Sequence, residues 1–178
     1  MILTKKDLFF AGVVGVFVAW LATNFLGAKY SIFLYLFFPT FSVFCLWLAE
    51  IISRKYYFVL QAAKFILVGG FADIIDIIAY SLIFLLIPMS LVVKAFSFLV
   101  AVCIKYVGNK NWVFHKTEKE GKKEATQFFA ITLGGLIINL IVFYCATKVA
   151  RTEISIILAA LAASVWNFLG YKFIVFKK

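Results

Sequence analysis

Two aspartates, Asp73 and Asp76, sit inside an otherwise apolar stretch of this chain. Their spacing puts both carboxylates on one face of a helix. An ionised carboxylate in hydrocarbon costs at least a few kcal/mol, so such residues face a polar interior and mark paths for headgroups, ions or protons. Two neighbouring acids need not both ionise, and one can hold a proton near neutral pH. The same pair also suits a plain interhelical hydrogen bond. Asn139, at roughly the place of Asp73 in a later apolar stretch, offers an amide that either meets a ligand or binds helix to helix.

Lys94 and Lys105 lie in the next apolar run. Lys94 is expected to snorkel to the outer interface, as a lipid-phosphate contact or an anchor. Its vertical offset from Asp76, about 12 Å by helical rise, argues against a direct bridge. Lys105 stands only about 7 Å from Asp73, within bridging range. Lys105, Lys110 and Lys172, with Asn109 and Asn167 as neutral donors, suggest a seat for a lipid phosphate, to which charge-assisted hydrogen bonds are strong. The usual lysine bias of cytoplasmic loops accounts for the same residues. The other cytoplasmic lysines are expected to be solvated. Trp112, Phe114, Phe173 and Phe176, like Tyr56, Tyr57 and Phe58, read as interfacial anchors on segments lying along the cytoplasmic surface.

Other chemistries find no support. Cys45, Cys103 and Cys145 stand alone in apolar runs and His115 is the one histidine, so neither a metal site nor a nucleophile–base pair is indicated. Gly69-Gly70 and Gly134-Gly135 lack the surroundings of a nucleotide-binding loop. They suit close helix approach, expected at a crossing between two repeats, and Ala159, Ala160, Ala162, Ala163 and Ser164 form a similar small face suited to an oligomer contact. The expectation is a protein that is not an enzyme and needs no cofactor.

The elements that must position these residues follow from composition. Of 178 residues, 65% are hydrophobic, more than a soluble core of this size can hide. Six runs approach the roughly 20 residues needed to span a bilayer: Leu8–Leu26, Tyr30–Ile52, Phe65–Ile87, Leu91–Gly108, Phe128–Thr147 and Ile154–Tyr171. They are continuous rather than alternating, which favours helices over a barrel. Pro39 should kink the second. The N-terminal run is too long for a cleaved signal peptide.

Of the 18 Lys and Arg residues, Lys29, Lys94, Lys148 and Arg151 fall on one side and the rest on the other, which places both termini in the cytoplasm. The net charge of +10 therefore faces anionic lipid rather than nucleic acid. The stretch KTEKEGKKE at residues 116–124 reads as a mobile linker.

That linker separates two similar halves. QAAKFILVGGFADIID opens the first and QFFAITLGGLIINLIV the second, while KYVGNKNWVF and NFLGYKFIVF close them. Each half holds two spans, so the repeats (about 61–115 and 127–178) run parallel, a plan that in transporters puts the substrate site between the repeats. Residues 1–60 form an added hairpin. The expected architecture is all-α and integral to the membrane, with six transmembrane helices.

The stretches KFILVGGFADIIDIIAY, KYVGNKNWVF, FFAITLGGLIINLIVFY and NFLGYKFIVF resemble the GtrA-like family of small bacterial and archaeal membrane proteins, over about two thirds of the chain. Asn109, Lys110, Trp112 and Phe114 fit the motif closing the first half, with Lys105 replacing its leading Asn. Asn167, Phe168, Lys172 and Phe176 fit in the second, where Tyr171 and Ile174 depart. Asp76 falls where the family carries an Asp. The resemblance implies flipping of a polyprenyl-phosphate-linked monosaccharide to the outer leaflet of the cell membrane for surface polysaccharide assembly, beside a membrane glycosyltransferase. A non-transporting scaffold for that glycosyltransferase and a small cation or drug exporter are the alternatives.

A reporter active only in the cytoplasm is expected to work when fused after Lys178 and to be silent when inserted after Ala150. The opposite pattern would invert the topology.

Overall fold

The computed structural model describes residues 3–87, 89–116 and 121–177, and shows helices and no strand among them. The helices are α1 (Lys5–Leu26), α2 (Ser31–Ser53), α3 (Tyr57–Phe84), α4 (Ser90–Gly108), α5 (Gly121–Ala146) and α6 (Thr152–Gly170). Six segments are long and apolar enough to cross a membrane. In such a solvent a spanning backbone must satisfy its own hydrogen bonds, which the helix does.

The ends of α1 show how the sequence sets these limits. Thr4 caps it: its hydroxyl accepts from the Asp7 N–H (3.3 Å) while the Asp7 carboxylate accepts from the Thr4 N–H (2.7 Å), the reciprocal pattern of a capping box. Gly27 ends it at φ 94°, a backbone conformation open to glycine. Both α3 and α5 start about two turns before the apolar runs that announced them; in α5 those turns are the polar stretch GKKEATQ, which extends the helix beyond the apolar run.

The chain forms two compact units, Met1–Val113 and Phe114–Lys178. In the first, α1 packs on α2, α3 on α4, and both α1 and α2 touch α3. The α1–α2 hairpin thus shares a unit with α3 and α4. Its core joins Ala11, Leu46, Ala49, Leu60 and Leu67. Gly15 allows the closest approach: a Cβ there would fall on the Pro39 backbone of α2 and within 2.8 Å of the Phe38 carbonyl oxygen. Gly70 meets Val14 of α1, so this glycine serves contact with the added hairpin.

In the second unit α5 packs on α6, and Gly134 and Gly135 lie against Trp166 and Asn167 of α6. Glu124 and Lys116 are buried, and the Lys116 ammonium donates to the Lys177 carbonyl at 3.1 Å. Lys116 is therefore not the solvated cation expected from sequence. Gly121–Glu124, read as linker, already belong to α5, while residues 117–120, including Lys119, lie outside the described residues.

Helices α4 and α6 end in the same local way. A wide π-helical turn follows Gly108 (Asn109–Val113) and another follows Gly170 (Tyr171–Val175). A Cβ on Gly108 would meet Val68 at 2.9 Å, and one on Gly170 would meet Ile131. The wide turn folds the chain back onto its own unit rather than along a surface. Phe114, with which the second unit begins, and Phe176 are buried and stacked, with ring centroids 5.2 Å apart. They are core residues, not the interfacial anchors that their aromatic type suggested. Phe173, Tyr56, Tyr57 and Phe58 are exposed.

Gly15→Ala is expected to cost roughly 2 kcal/mol or more, since the added methyl meets backbone that cannot swing aside. Gly12→Ala, with open space around its Cβ, should leave stability unchanged or raise it. Thermal unfolding in detergent compares the two, and equal melting would contradict the packing of α1 on α2.

Candidate functional site

Within the first unit, α3 and α4 run side by side and carry four charged groups on their shared face. Asp76 accepts from the Lys94 ammonium at 2.5 Å, and Asp73 from the Lys105 ammonium at 3.0 Å. Lys105 does what its short offset allowed. Lys94 does not snorkel away, and the sequence-based argument against its bridge fails for a specific reason. α3 ends at Phe84 and α4 begins at Ser90, so the turn comes earlier than the apolar runs implied. Asp76 then stands eight residues from its helix end and Lys94 four from its own. The axial offset is about 6 Å, which a lysine arm covers.

The two lysines are about 16 Å apart along α4, whereas the two aspartates are about 4.5 Å apart along α3. The cations therefore reach inward from above and below onto a central acidic pair. This ladder stays open: the Asp73 side chain is 61% exposed and that of Lys94 55%, while that of Asp76 is 17% exposed. Asp76 keeps a spare acceptor, because its Oδ1 is buried without a hydrogen-bond partner among the described residues. Ion pairs on an uncovered face of a spanning helix need water, protein or a polar ligand beside them.

The remaining candidates divide between the units. Asn109 is buried in the first, where its amide donates to the Lys105 carbonyl at 2.7 Å and its Oδ1 has no partner among the described residues. Lys110 donates to the Tyr106 hydroxyl at 3.5 Å. Lys105 and Lys110 thus engage different groups rather than a shared seat. In the second unit Lys172 lies over the Phe168 and Phe173 rings, at 5.8 and 5.5 Å, a cation–π arrangement. Asn167 presses on Gly135, and its Oδ1 is buried without a partner among the described residues. Asn139 is half-buried and makes no hydrogen bond to a described residue. Tyr171 opens the π-helical turn after Gly170 as Asn109 opens that after Gly108, and its hydroxyl meets that of Thr132 at 2.7 Å.

Sequence reasoning missed one cluster. Asp7 of α1 is fully buried and receives the Lys64 ammonium at 2.7 Å on Oδ1. The Trp112 indole N–H donates to that same oxygen, also at 2.7 Å. Trp112 packs on Phe10, ring centroids 4.7 Å apart, with the Lys64 ammonium 5.3 Å from its ring. Neither Lys64 nor Trp112 is the solvated or interfacial residue that its type suggested. The available signal was Thr4-x-x-Asp7, a capping spacing that fixes where Asp7 points, but its long-range partners carry no sequence mark.

A family model described as GtrA/DPMS, transmembrane domain, matches residues 64–176. No curated protein and no solved structure matches the chain.

Lys94→Met leaves the Asp76 carboxylate without its cation and is expected to destabilise the protein by about 3 kcal/mol in bicelles. The double variant Lys94→Met/Asp76→Leu should recover most of that loss. Steric-trapping unfolding measures both, and equal loss in single and double variants would contradict the pairing.

Proposed function

The chain belongs to the GtrA/DPMS transmembrane-domain family, and we propose that it moves a polyprenyl-phosphate-linked monosaccharide from the cytoplasmic to the outer leaflet of a bacterial or archaeal cell membrane. The observation that carries this reading is the open ladder Lys105–Asp73 and Asp76–Lys94. It runs from one turn inside the cytoplasmic end of α4 to one turn inside its outer end. That is about 16 Å, or roughly half of the 30 Å hydrocarbon core.

A sugar hydroxyl taken from water without new partners costs roughly 2–7 kcal/mol. The ladder supplies partners at successive depths. Carboxylate oxygens of Asp73 and Asp76 accept from sugar hydroxyls, while Lys105 and then Lys94 meet the phosphate negative charge. Each exchange swaps one charge-assisted hydrogen bond for another, so no group is stranded in transit. The spare Oδ1 of Asp76 is an acceptor near mid-depth, one helical turn beyond the exposed Asp73 carboxylate. The polyprenyl tail stays in lipid throughout. In this reading the protein makes and breaks no covalent bond. A membrane glycosyltransferase makes the lipid-linked sugar on the cytoplasmic side, and an ion gradient or consumption of the product outside gives the movement direction.

In proteoliposomes loaded with a fluorescent polyprenyl-phosphate monosaccharide, Asp76→Asn is expected to slow translocation about tenfold or more, the weight of one charge-assisted hydrogen bond. Binding of the glycosyltransferase should persist. Unchanged translocation would end the transport reading, and loss of the complex with normal translocation would point to a docking role for Asp76.

A further inference from the structure

The four charges of the ladder balance one another. On α3, residues 65–84 hold no Asp, Glu, Lys, Arg or His besides Asp73 and Asp76, and on α4, residues 90–105 hold none besides Lys94 and Lys105. The helices that pack on α3 add none at this depth, because residues 8–26 of α1 and 31–49 of α2 carry no charged side chain. Ser97 and Ala101, at helical steps between the two lysines, are buried and uncharged. The empty ladder is therefore neutral, with one lysine for each aspartate.

A phosphodiester brings one negative charge into that balance. With a neutral sugar, the loaded ladder holds an excess anion at a depth where unmatched charge is costly. With a uronic acid it holds two. With a protonated amine on the sugar the headgroup is a zwitterion, and the loaded ladder stays neutral. The two carboxylates also share a helix face one turn apart, a spacing at which like charges repel, and an ammonium beside them offsets that repulsion.

We infer that the ladder selects a lipid-linked amino sugar, whose phosphate meets Lys105 while its ammonium meets Asp76. The inference deepens the transport reading, on which it rests, by naming the substrate class. Two observations place the amine. Lys94 occupies Oδ2 of Asp76, whereas Oδ1 is buried without a partner among the described residues. Asp76 also stands one turn, about 4.5 Å along the axis, beyond Asp73, the partner of Lys105. A phosphate on Lys105 thus leaves room for one pyranose ring beside the open flank of Asp73, with an amine on the far edge of the ring at Asp76 Oδ1. A hydroxyl fills the same acceptor but leaves the phosphate charge unmatched. An ammonium does both, through a charge-assisted hydrogen bond.

The test compares four farnesyl-phosphate-linked sugars on full-length protein: 4-amino-4-deoxyglucose, its N-acetyl derivative, glucose and glucuronate. Affinity is read by native mass spectrometry in mild detergent at about pH 6, where the amine is charged. The amino sugar is expected to bind about tenfold more tightly than the N-acetyl derivative or glucose, and glucuronate most weakly. Asp76→Asn should remove most of the preference for the amine. This comparison in the unsubstituted protein needs no variant, and Asp73→Asn, at a more exposed position, should reduce the preference where Asp76→Asn does not fold.

Equal affinity for the amino sugar and its N-acetyl derivative overturns the inference, as does a preference that survives both substitutions, or binding of none of the four. The transport reading fails separately in proteoliposomes. Selective binding of an amino-sugar lipid that is not translocated removes transport and leaves the recognition. Equal translocation and equal affinity for all four lipids leave transport and remove the recognition.

Discussion

A charge inside hydrocarbon must be matched, and this chain applies the rule to every aspartate it has. Asp7, Asp73 and Asp76 are its three aspartates, and each holds a lysine: Lys64, Lys105 and Lys94. All six residues lie in the first unit. A lone carboxylate or ammonium at mid-depth costs about 3 kcal/mol on insertion scales, comparable to much of a protein's net stability. Pairing is therefore what lets these residues exist where they are. The pairs differ in one respect that separates their roles. Asp7–Lys64 is sealed, with side chains 1% and 5% exposed, and its two oxygens take four hydrogen bonds. The other two pairs stay open, and Asp76 leaves an oxygen idle. A sealed, saturated pair fixes helices, whereas an open, unsaturated pair can change partners.

How far the sequence foretold this depends on the distance over which each feature is decided. The six helices are local consequences of apolar length and were legible, since nothing but a helix satisfies its own backbone in lipid. Asp73–Lys105 was legible because helical rise alone brought the two to one depth. Lys94–Asp76 was misjudged because it hangs on the turn after Phe84, and element ends are the least certain part of such a reading. A shift of three residues moves a helical position by about 4.5 Å, enough to decide whether a lysine reaches. Asp7–Trp112 was out of reach altogether, being a contact across 105 residues with no periodicity behind it.

Trp112, Phe114 and Phe176 show a different kind of limit. Aromatic residues next to lysines at the end of a span fit an interfacial belt by every local criterion. What turns them inward is a π-helical turn after a glycine that lies tight against a β-branched neighbour, Gly108 on Val68 and Gly170 on Ile131. π-helical turns are rare and cluster at functional sites. Here the same turn ends both α4 and α6, yet its contents differ. In the first it carries Asn109 and Trp112, both engaged with polar groups. In the second it carries Tyr171, stacked on Phe128 at 4.5 Å and bonded to Thr132. The backbone device is shared, while the paired charges are concentrated in the first unit.

That concentration bears on what the added hairpin does. The family match starts at Lys64, so Lys64 and Trp112 lie within it, while α1 and α2 stand before it. Without α1, a buried ammonium and an indole N–H would share no acceptor, and burying polar donors unmet is costly. α1 supplies Asp7, and with it Ala11 and Gly15, whose small size lets the helix approach α2 and α3 closely. The hairpin is thus matched to its neighbours by charge at one depth and by shape at the next. A helix added for anchorage alone would need neither, because lipid contacts reward only apolar length. The matching argues that α1 works as part of the domain it touches, and that a change in its first turn would be felt at Lys64 before it was felt anywhere else.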